Sequence, residues 1–96
     1  MATVQASYQS SPKGINVALT YLQYFASDYS KFRHQVLDNG VVKHERNWTD
    51  YATSNFAQFF DDHDISWYVQ GTSKATVKAW ATYNGVEYYI GETAQF

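Results

Sequence analysis

Apolar and polar residues alternate along the first part of this chain, and that pattern predicts strands. The alternation begins at residues 3–8 and resumes at residues 15–21, and a period of two is typical of a strand with one buried face. The second stretch also fits a helix, but its β-branched and aromatic residues favour a strand. The apolar face contains Val4, Ala6, Tyr8, Ile15, Val17, Leu19 and Tyr21.

Three short segments have the residues of hairpin turns. The segment Ser11-Pro12-Lys13-Gly14 is typical of a type I turn that ends in a left-handed glycine. The segments Asp38-Asn39-Gly40 and Asn84-Gly85 contain residues that tolerate a positive φ. Three hairpins supply six strands, and we expect a seventh strand at residues 65–71.

The second hairpin has a choice of register. A two-residue loop would set Arg33 opposite Arg46, whereas a three-residue loop sets Arg33 opposite Glu45. Opposite charges stabilise a cross-strand pair and like charges destabilise it. We therefore expect the three-residue loop, which also places His34 directly opposite His44.

At residues 49–63 the period changes from two to that of a helix. Apolar side chains recur on one side, and Thr49 or Asp50 can cap the first turn. An amphipathic helix of about three to four turns is unstable alone in water, so its apolar side must pack on the sheet. The expected helix covers about residues 50–62, and its apolar side comprises Ala52, Phe56, Phe59, Phe60 and His63.

The last hairpin runs from residue 75 to residue 92. A two-residue loop at its centre sets Trp80 opposite Tyr89 and Ala79 opposite Ile90. One face is then lined with small alanines, against which the helix can pack. The other face carries Thr76, Lys78, Trp80, Thr82, Glu87 and Tyr89.

These elements predict an α+β fold in a single domain, residues 1–96. About six to seven strands in hairpins form a twisted antiparallel sheet, and the amphipathic helix packs on one face. A partly open barrel is the alternative arrangement of the same strands. The outer strands of an open sheet leave backbone amides unpaired, so we also expect that a homodimer can form through a strand edge.

Composition removes several classes of function. The chain has no cysteine, which excludes a disulfide scaffold, a cysteine-bound metal site and a thiol nucleophile. A net charge of -2 gives no reason to expect nucleic acid, and no apolar stretch is long enough for a membrane helix. Because no signal peptide is visible, we expect a cytoplasmic protein, or a secreted one if a signal has been removed.

The sequence contains no catalytic motif, so we expect neither an enzyme nor a bound cofactor. It lacks a nucleophile elbow, a phosphate-binding glycine loop and a dinucleotide fingerprint. His34 and His44 are candidate metal ligands, and His63 or an aspartate could complete a set of three. We favour two locally hydrogen-bonded histidines without a metal, because only two ligands can be argued to converge.

An acidic segment is the first candidate for a binding surface. Asp61, Asp62 and Asp64 lie at the C-terminal end of the expected helix, where the negative end of the helix dipole disfavours further negative charge. They would form an acidic surface for a basic partner. A solvated turn without a partner is the alternative interpretation.

An aromatic pair is the second candidate. The chain has 9 Tyr, 6 Phe and 3 Trp, more than one helix-covered face can absorb. Trp80 and Tyr89 stand among polar neighbours, Lys78 and Glu87 included, and such a mixture is typical of a binding surface. The alternative is that both faces of the sheet are covered and that Trp80 belongs to the core.

We therefore predict a non-enzymatic protein-binding domain, a small inhibitor or adaptor that occupies a surface of a larger partner. The alternative is a carbohydrate- or cell-surface-binding module of a secreted protein, which would use exposed tryptophan and tyrosine side chains. A small metal-dependent enzyme that uses the histidines is a third hypothesis.

Overall fold

A computed structural model of the chain describes residues 2–49 and 55–96. These two ranges contain seven strands, one short 3-10 turn (Ala26–Asp28) and no α-helix. They also hold no helix long and apolar enough to cross a membrane. The strands are β1 (Thr3–Ser10), β2 (Lys13–Thr20), β3 (Lys31–Asp38), β4 (Val41–Trp48), β5 (Ala57–Asp61), β6 (Ala75–Tyr83) and β7 (Val86–Glu92).

The strands form two antiparallel sheets instead of one. In the first sheet β2 lies between β1 and β5, and in the second sheet the order is β4, β3, β6, β7. Buried side chains from both sheets, such as Val17 of β2 and Val36 of β3, form one hydrophobic cluster. The core therefore lies between the sheets, and the expected α+β fold is wrong.

The expected helix at about residues 50–62 is wrong over its described part. Residues 57–61 form β5, which pairs with β2 so that Phe59 lies opposite Val17. Residues 50–54 lie outside the described residues. The phenylalanines that suggested a helical stripe are divided, because Phe59 is buried in the core and Phe60 points to the other face of its sheet, half-buried.

Strand pairing explains why a strand forms at this place. β2 is buried along most of its length, and a buried strand needs a hydrogen-bonding partner on each side. β5 supplies the second partner, and its residues Ala57, Phe59 and Asp61 are buried in alternation with more exposed neighbours. Gly14 of β2 makes room for this pairing, because the ring of Phe60 occupies the space that a Cβ atom would need.

The first hairpin confirms the strand prediction for residues 15–20. β1 and β2 pair as far as Ser10 opposite Lys13, which leaves a two-residue loop. Gly14 therefore lies inside β2 and not at a left-handed turn position, so the predicted turn type is wrong. Tyr21 does not continue the apolar face, because it follows the strand with a φ of 56° and is 70% exposed.

β3 and β4 pair in a register different from the one expected. Their loop has two residues instead of three, and an extra residue in β4, Lys43, then forms a bulge that shifts the pairs. His34 lies opposite Arg46 and not opposite His44, although both histidines stay on the inner face of the sheet. Arg33 and Glu45 still form the ion pair on which the prediction was based, at 2.9 Å, but as diagonal neighbours on adjacent strands and not as a directly opposite pair.

The last hairpin has the predicted pair of Trp80 and Tyr89 opposite each other. Ile90 is an extra residue in β7 and forms a bulge, which sets Ala79 opposite Gly91 and not opposite Ile90. The predicted faces are therefore confirmed near the turn and shifted by one residue farther from it.

Residues 65–71 do not form the expected seventh strand. They make consecutive turns, in which the backbone N–H of Tyr68 donates to the carbonyl of Ile65 at 3.0 Å. Ile65 and Tyr68 are both buried. The apolar residues that suggested a strand are thus core residues supplied by an irregular segment.

Candidate functional site

Asp61 is the centre of a polar cluster that the pairing of β5 buries. It is the last residue of β5, lies opposite Ile15 of β2 and is fully buried. Its Oδ2 atom lies 2.6 Å from Nε2 of His34 and 2.8 Å from Nε2 of His44. The backbone N–H of His63 donates to Oδ1 at 3.1 Å. We call Asp61, His34 and His44 the inner triad.

The surroundings of Asp61 keep its carboxyl group ionised. Burial by itself raises the pKa of a carboxyl group, because it penalises the charged form. Hydrogen bonds from His34 and from the backbone of His63 outweigh this burial and lower the pKa of Asp61 to about 2. Asp61 can therefore only accept at neutral pH, and each imidazole nitrogen that contacts it has to donate.

Trp48 fixes the protonation of His34. Its indole Nε1–H donates to Nδ1 of His34 at 2.8 Å. An indole nitrogen can only donate, so Nδ1 has to accept. The proton of neutral His34 is then on Nε2, from which it is donated to Asp61. Both ring nitrogens of His34 are thus in use.

His44 differs from His34, because only one of its nitrogens has a close partner. Nε2 lies 3.0 and 2.8 Å from the two oxygens of Asp61. Within the described part of the chain Nδ1 makes no hydrogen bond; it faces the exposed Asp64, with 3.7 Å between Nδ1 and Oδ2. The His44 side chain is 7% exposed, so it lies at the boundary between the inner triad and the surface.

Arg46 adds a positive charge beside the inner triad. Its Nη1 atom lies 3.5 Å from Oδ1 of Asp61. Its guanidinium carbon lies 4.2 Å from the ring centroid of Trp48, a cation–π distance. Arg46 therefore contacts both the buried carboxylate and the tryptophan that orients His34.

The inner triad has the residue types of a metal site, but its contacts are those of hydrogen bonds. Two imidazoles and a carboxylate suit a divalent transition metal, and their donor atoms lie within 4.8 Å of one another. An ion would need a lone pair on Nε2 of His34, where the contact with Trp48 places a proton. It would also hold its ligand atoms about 3 Å or more apart, whereas Asp61 and His34 are 2.6 Å apart.

The three aspartates that the sequence grouped together do not form one surface. The strand period of β5 turns Asp61 inward, so this residue is buried and cannot be offered to a partner. Asp62 and Asp64 are exposed on either side of His63. The backbone carbonyl of Asp64 accepts a 2.6 Å hydrogen bond from the indole of Trp67, which anchors the segment.

The outer face of the four-stranded sheet carries the predicted aromatic pair. The ring centroids of Trp80 and Tyr89 are 5.5 Å apart. The guanidinium carbon of Arg33 lies 3.9 Å from the ring centroid of Trp80, and Arg33 forms 2.9 Å ion pairs with Glu45 and Glu87. One face of Trp80 is therefore covered, and the Glu87 carboxylate is held by Arg33.

The remaining features of this face follow from the same contacts. The hydrogen bond from Arg33 lowers the pKa of Glu87 below its usual value. Lys78 lies on the same face of β6 as Trp80, two residues away. Tyr89 is the more exposed member of the aromatic pair, at 55%, whereas Trp80 is half-buried.

A groove beside the aromatic pair is lined mainly with tyrosines. It has a volume of about 700 Å³ and opens between β7 and the segment that follows β2. Its lining contains no charged side chain. We call it the tyrosine groove, and its lining residues are Ala2, Tyr21, Gln23, Tyr24, Tyr29, Tyr88, Tyr89 and Ile90.

The sequence predicts only one end of the tyrosine groove, at Tyr89. The pattern of residues 21–29 does not assign them to any surface. The available signal was the density of tyrosines, with Tyr21, Tyr24 and Tyr29 within nine residues of each other. Only the folded chain brings this segment beside β7.

Comparisons of the chain with models of protein families, with curated proteins and with solved structures found no match. The features of the chain that can support a function are therefore the inner triad, the outer face and the tyrosine groove.

Proposed function

We propose that this chain is a non-enzymatic protein-binding domain, a small inhibitor or adaptor that occupies a surface of a larger partner through the tyrosine groove. The observation that carries the proposal is the convergence of five tyrosines from two distant segments on one open, uncharged groove. Contiguous exposed aromatic surface of this kind marks interaction sites in small domains.

The exposure of the tyrosines supports a binding role. Tyr21 is 70% exposed, Tyr88 49% and Tyr89 55%. Tyrosine offers a large contact area with few rotamers to freeze, and its hydroxyl group can donate or accept at the edge of an interface. Residues of this type supply much of the binding energy at protein interfaces.

The base of the groove is held by aromatic contacts, so little of it has to become ordered on binding. Tyr24 stacks on Tyr83, with ring centroids 3.8 Å apart and planes 2° apart. Tyr29 packs edge-on against both of these rings, at 6.0 and 5.8 Å. A surface that is already ordered loses less conformational entropy when a partner binds.

The test starts with a partner captured by crosslinking from the source cells and then purified. Its affinity for the native chain is compared with that for the double variant Tyr21→Ser and Tyr88→Ser. We expect at least a tenfold loss, since truncating interface anchors costs more than about 1–2 kcal/mol. Val69→Ser removes a side chain of similar exposure, 55%, outside the groove and should bind normally. Equal affinity of all three proteins would contradict the proposal.

Salt separates the groove from the exposed aspartates as the binding surface. An uncharged groove predicts an affinity that changes little with ionic strength, whereas binding of a basic partner to Asp62 and Asp64 would weaken steeply with salt. The variant with Asn at both positions should therefore bind like the native chain. A loss of binding in that variant would place the partner on the acidic segment instead.

Carbohydrate binding is the second candidate, favoured by the exposed rings of Tyr21 and Tyr88. Trp80 is not available for stacking on a sugar across its covered face, because the Arg33 guanidinium lies there. A glycan array with the native chain and the Tyr88→Ser variant tests this candidate. Binding to a sugar that the variant loses would favour carbohydrate binding over the protein partner.

The predicted homodimer through a strand edge stays a prediction, and sedimentation of the chain alone tests it.

A further inference from the structure

The outward nitrogen of His44, Nδ1, is a possible metal ligand that the inner triad does not use. Asp61 is ionised and contacts Nε2 of His44, so Nε2 carries a proton. In the neutral imidazole the lone pair is then on Nδ1. This atom belongs to a side chain that is 93% buried, makes no hydrogen bond with any residue in the described ranges, and faces the carboxylate of Asp64.

His63 is placed to supply a second nitrogen. Its ring is parallel to that of His44, with planes 5° apart and centroids 6.2 Å apart. The carboxylate of Asp62 lies 2.9 Å from Nδ1 of His63, which favours the proton on Nδ1 and leaves the lone pair on Nε2. The His63 side chain is 58% exposed, so its ring can adjust toward a ligand.

We propose that His44, His63 and Asp64 form a surface site for one divalent transition metal ion such as zinc. The ligand atoms would be Nδ1 of His44, Nε2 of His63 and a carboxylate oxygen of Asp64. We call this set the outer site. Three protein ligands with a fourth position open to water are a common arrangement for zinc.

The geometry of the outer site differs from that of the inner triad in the way that metal binding requires. Tetrahedral zinc holds its nitrogen and oxygen ligands about 3.4 Å apart, and Nδ1 of His44 lies 3.7 Å from Oδ2 of Asp64. Between His44 and Asp64 the ion therefore needs only a small closing movement of an exposed side chain, whereas the exposed His63 ring has to turn its Nε2 atom toward them. The inner triad would instead have to be pulled open, against the fully buried Asp61.

The neighbours of the two histidines also fit a metal site. A histidine that binds a metal usually donates its other N–H to a carboxylate, which orients the ring and makes the ligating nitrogen more basic. Asp61 has this position at His44, and Asp62 has it at His63. The metal pair is thus His44 with His63, and not the pair of His34 and His44 that the sequence singled out.

Calorimetric titration of zinc into the full chain tests the outer site. The protein is made without a polyhistidine tag, and bound metal is first removed with EDTA. We expect one zinc ion per chain. His63→Gln and Asp64→Asn each remove a ligand and should weaken binding by at least tenfold, and Asp62→Asn, which removes an orienting carboxylate, by about tenfold.

Two controls make the result specific. Asp28→Asn removes an exposed carboxylate from the 3-10 turn and should leave the affinity unchanged. The Asn side chain at position 64 tolerates the positive φ of 48° found there, so circular dichroism of Asp64→Asn should match the native chain. Replacing His44 is avoided as the main test, because this side chain is mostly buried.

Nuclear magnetic resonance of the tryptophan indole protons distinguishes the outer site from the inner triad. The outer site leaves the bond from Trp48 to His34 in place, so the Trp48 indole proton should keep its resonance when zinc is added. A large shift of that resonance, with normal binding by His63→Gln and Asp64→Asn, would overturn the proposal. An absence of binding at millimolar zinc would overturn it equally.

Discussion

The indole N–H of Trp48 donates to Nδ1 of His34 across the inner face of β3 and β4, at 2.8 Å. This contact is the reason that His34 donates to Asp61 and is not available to a metal. It is the first bond of a chain of hydrogen bonds that runs from Trp48 through His34 to Asp61, and each group in this chain either donates or accepts. Removing any member should leave another buried polar group without a partner, at a cost of about 1–3 kcal/mol.

Trp48→Phe should lower the free energy of unfolding by about 1–3 kcal/mol. Phenylalanine keeps an aromatic ring for Arg46 but loses the donor along with part of the ring surface, so Nδ1 of His34 becomes a buried acceptor without a partner. Urea denaturation measures the change. Trp67→Phe is the matched control, since its indole bond to Asp64 is exposed, and it should cost less. Equal costs would mean that loss of ring volume, and not the hydrogen bond, is measured.

Asp61→Asn should destabilise the chain by about 3 kcal/mol or more. An amide has one oxygen where the carboxylate has two, so in either orientation its NH₂ group meets a donor: the imidazole N–H groups at the Oδ2 position or the backbone N–H of His63 at the Oδ1 position. The charge that strengthens these hydrogen bonds is lost as well. Removing one partner of a buried charged network typically costs about 3–5 kcal/mol. Asp62→Asn makes the same chemical change at an exposed site, and we expect less than about 0.5 kcal/mol.

Thermal denaturation of both variants separates these expectations. If Asp61→Asn were as stable as the native chain, the residue would not be buried between the sheets, and β5 would not have the pairing described. If both variants were strongly destabilised, the cause would be loss of negative charge in this segment and not loss of the buried acceptor.

The ion pairs of Arg33 should make stability depend on pH in the acid range. The pKa of Glu87 is lowered in the folded chain by the hydrogen bond from Arg33, and that of Glu45 by hydrogen bonds from Gln35 and Arg33. The unfolded chain then binds protons at a higher pH than the folded chain. The stabilisation is present above the ordinary pKa of about 4.3 and is lost as pH falls through the folded values.

Glu87→Gln tests this dependence. The variant should melt below the native chain at pH 6, and the difference should shrink as the pH falls through the acid range, because the native carboxyl then becomes protonated too. Glu92→Gln changes a carboxyl group on the same strand that pairs with no arginine in the described part of the chain, and at pH 6 it should lower the melting temperature less than Glu87→Gln does. A difference for Glu87→Gln that does not change with pH would show that the ion pair contributes no net stability.

The sequence predicted the strands whose period is two and whose ends have turn residues. β1, β2, β6 and β7 follow in this way, although the type of the first turn does not, and the pair of Trp80 and Tyr89 follows from the two-residue turn at Asn84-Gly85. Bulges in β4 and β7 shift the pairs beyond them, and neither strand period nor charge marks the extra residue, so these pairs could not be assigned from the sequence. The spacing of the phenylalanines alone fits a helix. Residues 57–61 form a strand because β2 needs a second hydrogen-bonding partner, which the local sequence does not show.

The candidate site was predictable in part for the same reason. That His34 and His44 share a face follows from strand alternation, and the structure confirms it. Their acceptor could not be identified, because the helix prediction placed Asp61 at an exposed helix end. Once residues 57–61 are a strand, the alternation turns Asp61 inward with Phe59, and the inner triad follows.

Gly14→Ala tests the pairing of β5 with β2, on which these conclusions depend. The new Cβ atom would overlap the ring of Phe60, which lies across Gly14, so we expect a loss of about 1–3 kcal/mol in the free energy of unfolding from overpacking. A smaller side chain at position 60 should relieve it. The double variant Gly14→Ala and Phe60→Leu is therefore expected to be more stable than the sum of the two single changes predicts. If residues 57–61 were helical and away from β2, Gly14→Ala would be neutral or slightly stabilising in a strand, and the two changes would simply add.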